Sequence, residues 1–179
     1  MISTATTPET TAVAKLLLNA WSAEYALRIK PGSTDRDYLN QSLNWVFPQS
    51  YYAVFFSARA VLAVDGINLA NQDEVEKLIN QWVRAGKYGP IYTQQGNPFI
   101  ELFEHRIRAE QRSYRMSGPE AAALHQKLKE KVHAVGIIHE TYILNRLGAY
   151  AYELLISNLP DYLKNDFVGA RARLLLTDD

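Results

Sequence analysis

Residues 50–66 read SYYAVFFSARAVLAVDG, and this stretch decides the fold. It is almost entirely apolar, shows no period-two alternation, and closes on Asp65-Gly66, so it predicts a buried helix ending at that glycine. Turned through about 100° per residue, Tyr52, Phe55, Phe56, Leu62 and Ala63 fall on one broad face, with Arg59 in its middle. The opposite face carries Ala53, Ser57, Ala60 and Val64, mostly small side chains that let another backbone approach closely. Both faces are therefore expected to be buried. An unpaired charge in such a place costs several kcal/mol. Three arrangements of Arg59 compete: an ion pair with a carboxylate of another helix, a guanidinium that reaches the rim or a subunit interface, and the lining of a polar cavity that holds an anion. The planar fork of arginine suits the last role, because it binds two oxygens at once.

Working outward, the other segments also carry helical periodicity. Thr7-Pro8-Glu9 is a helix start, with a capping hydroxyl, proline at the first helical position and an acid next to it. Val13, Leu16, Leu17, Ala20, Trp21 and Tyr25 continue at helical spacing until Pro31-Gly32 stops the helix near Lys30. A second helix opens around Thr34-Asp35 and runs toward Val46, and Pro48 is expected to interrupt or kink it, since proline removes a donor and clashes with the preceding turn. Val75, Leu78, Ile79, Trp82 and Val83 mark one face of a further helix that stops at Gly86. KYGPIYTQQGNPF (87–99) reads as a loop that overlaps the next helix start at Asn97-Pro98. Phe99, Leu102, Phe103 and Ile107 give that helix its apolar stripe. After Ser117-Gly118-Pro119 a long pattern carries Leu124, Leu128, Val132, Val135, Ile138 and Tyr142. It runs unbroken to Ser157 or bends near Gly136 or Gly148, and a short helix follows Pro160. The expected fold is all-α, a single helical bundle domain of about six to seven helices over residues 1–179.

Composition removes several chemistries. The 179 residues contain 19 Lys and Arg against 19 Asp and Glu, a formal net charge of zero, which argues against gripping nucleic acid by bulk charge. The chain has no cysteine, so disulfides, thiolate nucleophiles and cysteine-ligated zinc are excluded. Neither a signal peptide nor a membrane span is predicted, and a cytoplasmic protein is expected.

The apolar helix, its short polar link and the amphipathic helix ending INQWVRAGKYG together resemble the HEPN domains of prokaryotes, most clearly over Tyr51 to Gly89. In that family the second helix carries an aromatic pair and an alanine-arginine-alanine core before a glycine, and the third ends with an aromatic, a basic residue and a glycine. The resemblance implies a bundle that forms a homodimer and works near RNA or nucleotides, often beside a nucleotidyltransferase partner in toxin–antitoxin pairs. Nuclease members place a histidine four to six residues beyond an arginine. No arginine here has that spacing to His105, His125, His133 or His139. Other members end an arginine-rich helix in aspartate-tyrosine. The nearest stretch here is RAEQRSYRM, where Ser113 precedes Tyr114.

That segment puts Arg108, Arg112 and Arg115 at i, i+4 and i+7, one helical stripe that suits phosphates, with Tyr114 placed for base stacking. A solvated face paired with Glu101 or Glu104 is the alternative. Glu130-Lys-Val-His133 has the Glu-x-x-His spacing of di-iron bundles, but such sites need a second copy, and none exists. No phosphate-binding glycine loop, nucleophile elbow or dinucleotide fingerprint is present. The sequence therefore predicts a non-catalytic HEPN-like module that binds RNA, nucleotide or a protein partner through Arg59, Arg108, Arg112, Tyr114 and Arg115, without cofactor or metal. The alternatives are a divergent, metal-independent ribonuclease and a purely structural interaction bundle.

Overall fold

The computed structural model describes residues 8–29, 36–88 and 118–177. Among them lie seven helices and no strand: α1 (Pro8–Arg28), α2 (Arg36–Val64), α3 (Gln72–Arg84), α4 (Gly118–Leu147), α5 (Ala149–Ser157), α6 (Asp161–Lys164) and α7 (Phe167–Thr177). The protein is an all-α bundle. The expected helix over residues 97–107 lies outside the described residues.

α2 is the axis of the bundle and packs most extensively on α1 and then on α4. It runs through Pro48 as one helix, where the sequence offered an interruption or a kink. Val46, Phe47, Tyr51, Val54 and Phe55, on both sides of the proline, are all buried in one core. Burying these side chains contributes about 1.5–3 kcal/mol each. Together they outweigh the roughly 3 kcal/mol penalty of an internal proline. Ser50, also buried, adds a hydrogen bond from its Oγ to the Val46 carbonyl at 2.6 Å.

The ends of the helices follow local chemistry. α3 opens on Asn71, whose side chain accepts from the Glu74 amide at 3.1 Å. It closes in a Schellman motif, with Gly86 N–H bonded to the Val83 carbonyl and Lys87 N–H to that of Trp82. Gly86 holds φ +71°, a conformation that a side chain disfavours. The long C-terminal pattern breaks at Gly148, not at Gly136. Beyond Pro160 there are two helices where one was expected, and the longer, α7, buries Phe167, Val168, Gly169, Arg171 and Ala172.

Candidate functional site: a buried salt-bridge network

Trp21, Glu24 and Arg28 stand at i, i+3 and i+7 on α1, so they share one face. His133, Gly136 and Glu140 repeat the same spacing on α4. Arg171 reaches both faces from α7. Its side chain is 1% exposed, and those of Glu24 and Glu140 are 4% and 2% exposed. Arg171 Nη2 donates to Glu24 Oε1 at 2.7 Å, and Nη1 donates to Glu140 Oε1 at 2.5 Å. Glu140 also accepts from Trp21 Nε1 at 2.9 Å and from the Tyr152 hydroxyl at 2.8 Å. Arg28 completes the set: its Nη2 donates to Glu24 Oε1 at 2.8 Å. Two carboxylates thus meet two guanidinium groups, and the cluster is close to neutral.

Gly136 explains how the buried guanidinium fits. A Cβ at that position would run into Arg171 Nη1 and would stand 3.1 Å from Cζ. The glycine is therefore a notch in α4 that admits a flat cation, not a hinge. Phe167, one turn before Arg171, lies under both cations, with its ring centroid 4.3 Å from Arg28 Cζ and 5.0 Å from Arg171 Cζ.

His133 Nδ1 lies 3.0 Å from Arg28 Nη2 and 2.8 Å from Arg171 Nη2. Guanidinium groups only donate, so Nδ1 accepts and the ring proton sits on Nε2. Burial by itself would raise the Glu24 carboxyl. The charges of Arg171 and Arg28 and the Arg28 hydrogen bond oppose burial and hold the group below the ordinary carboxylate value. Because Nδ1 is 3.8 Å from Glu24 Oε1, beyond hydrogen-bond range, the two guanidinium groups supply that stabilisation. For Arg171, burial would lower its affinity for a proton, and the neighbouring Glu140 and Glu24 raise it instead. Burial, then the charge of Glu140, pushes the Tyr152 hydroxyl well above its usual value. Glu24, Arg171 and Tyr152 are each held in the form that binds their neighbours.

A second buried pair joins α2 to α4. His139 Nδ1 lies 2.7 Å from Ser57 Oγ, and the Val54 carbonyl lies 3.0 Å from the same oxygen. The Ser57 hydroxyl thus lies within reach of both groups, and the His139 tautomer sets the direction of the Ser57–His139 bond. Complete burial pushes His139 down to about 3, so the ring is neutral at pH 7.

Arg59 corrects the expectation of a charge in the middle of a buried face. Tyr52 is 41% exposed, and Phe56, Arg59 and Ala63 are half-buried, so this stripe is the rim of α2. The small residues Ala53, Ser57, Ala58 and Ala60 face the core instead. They let α1 and α4 come close, while Tyr52, Phe56 and Arg59 are left toward the periphery. Arg59 Nε donates to the Leu69 carbonyl at 2.7 Å, and its Cζ stands 5.7 Å from the Phe55 ring. It has no carboxylate partner among the described residues. Arg108, Arg112, Tyr114 and Arg115 lie outside the described residues.

The Glu-x-x-His spacing does not form a site. Glu130 is exposed and bonded to Gln126, while His133 turns inward to the arginines. His125 Nε2 donates to the Leu27 carbonyl at 2.6 Å. Among the described residues no three His, Asp or Glu side chains gather as metal ligands, and no helix is long and apolar enough to cross a membrane. The sequence reading missed Arg171, Glu24 and Glu140. The available signal was an arginine in the apolar run FVGARARLLL, the same anomaly that drew attention to Arg59. The fold and this network define an all-α bundle tied across three helices by a buried ionic cluster. No known protein family, curated protein or solved structure matches the chain.

Proposed function

We propose that this chain is a non-catalytic, HEPN-like binding module that acts through RNA or nucleotide. The observation that carries the non-catalytic part is the state of the Glu24–Glu140–Arg171 cluster. Its carboxylates are almost closed to solvent and bond to Arg171, Arg28, Trp21 and Tyr152, so the cluster ties the helices together and leaves no room for a substrate beside it. The RNA part rests on the sequence resemblance and on the arginine stripe Arg108, Arg112 and Arg115 with Tyr114. Arg59 supports it at the rim, because its Nε alone is engaged and its two amino groups make no hydrogen bond among the described residues. A guanidinium in that state suits a phosphate, and exposed Tyr52, two turns earlier on the same side of α2, suits a stacked base. A homodimer, a cytoplasmic location and a nucleotidyltransferase partner in a toxin–antitoxin pair belong to the same reading.

Purified protein titrated with a structured RNA, with and without chelator, tests it. Retention without cleavage is expected, with affinity falling as salt rises, by a slope of about 0.7 to 0.9 for each phosphate neutralised. Arg112→Ala/Arg115→Ala should weaken binding and flatten that slope by roughly one unit for each arginine that had met a phosphate. Cleavage that survives chelator would establish a divergent ribonuclease. Neither retention nor cleavage would leave the purely structural bundle.

A further inference from the structure

A groove of about 360 Å³ opens between the first turns of α1 and the segment from α5 to Pro160. Its volume is at the lower end of the range for small-molecule sites. Ala14, Leu18, Leu154, Leu155 and Leu159 form its apolar wall, and Lys15 is the only charged lining residue among the described residues. From Thr10 to Leu18 the α1 wall rises by eight steps of 1.5 Å, about 12 Å. Lys15 is exposed, and its ammonium makes no ion pair or hydrogen bond within the described residues. Leu154 is 40% exposed although it stands beside buried Leu155. The groove is thus narrow and greasy, with one unsatisfied cation at its edge.

From this we infer that the groove binds a free medium-chain carboxylic acid, with the acyl chain along Leu18, Leu154 and Leu159 and the carboxylate on Lys15. Shape and charge together select this occupant. A neutral apolar molecule would leave Lys15 unused, and a compact anion would leave the leucines wet. The carboxylate contact sits at the surface, where an ion pair changes affinity by only a few-fold. The chain supplies most of the affinity, at about fourfold for each methylene buried.

The experiment is calorimetric titration of the full chain with hexanoate, octanoate and decanoate, each below its micellar concentration, and with decanol. Affinity should rise about fourfold per methylene until the groove is filled. Decanol should bind roughly two- to fivefold more weakly than decanoate, and Lys15→Ala should remove that difference. Leu154→Glu, which puts a repelling charge in the wall, and Ala14→Trp, which fills the groove, should each abolish binding. Circular dichroism of both variants checks that the fold is intact. Several results would overturn the inference: no dependence on chain length, binding unchanged in both groove variants, or flotation with anionic vesicles that Leu154→Glu abolishes. So would a dimer that Leu154→Glu dissociates and decanoate does not, since the groove would then be occupied by a second copy.

Discussion

Replacing Arg171 by methionine removes the one fully buried cation among the described residues while keeping a long, flexible side chain in its place. Glu24 retains Arg28, and Glu140 retains Trp21 Nε1 and the Tyr152 hydroxyl. Neither neutral donor balances the second charge, so a carboxylate is left uncompensated in the interior. Breaking a buried pair in this way costs about 3–5 kcal/mol. For a chain of this size that lowers the melting temperature by on the order of 10 °C, and it is a large share of a typical total stability of about 5–15 kcal/mol. Urea unfolding followed by circular dichroism at pH 7 measures the loss. Repeating it at pH 5 tests the cause. Two carboxylates facing a single half-buried cation bind a proton more readily, so the gap to the parent should narrow as pH falls. Adding Glu24→Gln and Glu140→Gln to the variant should recover much of the loss, because no uncompensated buried carboxylate then remains. A loss below about 1 kcal/mol, or a gap that stays constant with pH, would refute the reasoning that Arg171 is a buried counter-ion.

Gly136→Ala should destabilise by about 1–3 kcal/mol, because the new methyl occupies the space of Arg171 Nη1. In an Arg171→Ala background the same change should gain up to about 1 kcal/mol through helix propensity, and a double-mutant cycle in urea reads the reversal. Acid should also unfold the protein through His139. Its folded value of about 3 lies below its unfolded value of 6.5, so the unfolded chain binds the extra proton. This contribution is complete above pH 6.5 and falls by about 1.4 kcal/mol per pH unit down to pH 3. Glu24, held below its ordinary value of 4.5, adds a loss of the same sign at lower pH. A His139→Leu variant should show a flatter stability–pH profile between pH 6.5 and 4.5, measured by chemical unfolding. Gly86→Ala should cost about 1–2 kcal/mol, since the Schellman turn needs positive φ there, and thermal melting would detect it.

The helices could be read in the chain because each rests on local rules. Val75, Ile79, Trp82 and Val83 stand on one face by spacing alone, and Gly66 and Gly86 end their helices by conformational freedom that no neighbour has to supply. The interruption offered at Pro48 does not occur, because the proline's penalty is local while the burial that offsets it is not. Gly136 was noticed as a weak point in a helix, yet its purpose, admitting a guanidinium from α7, depends on a residue 35 positions away in sequence (171 minus 136). Arg59 and Arg171 pose the same question on paper, each an arginine within an apolar helix. Their answers differ: Arg59 lies at the rim with a carbonyl partner, and Arg171 lies between two carboxylates. The sequence alone determined an all-α chain without thiol chemistry, the places where most of its helices begin and end, and that an arginine stands within an apolar helix. Only the tertiary structure decided which anomalous charge is buried, because an ion pair between helices is fixed by how their faces meet, and periodicity within one helix says nothing about the face opposite.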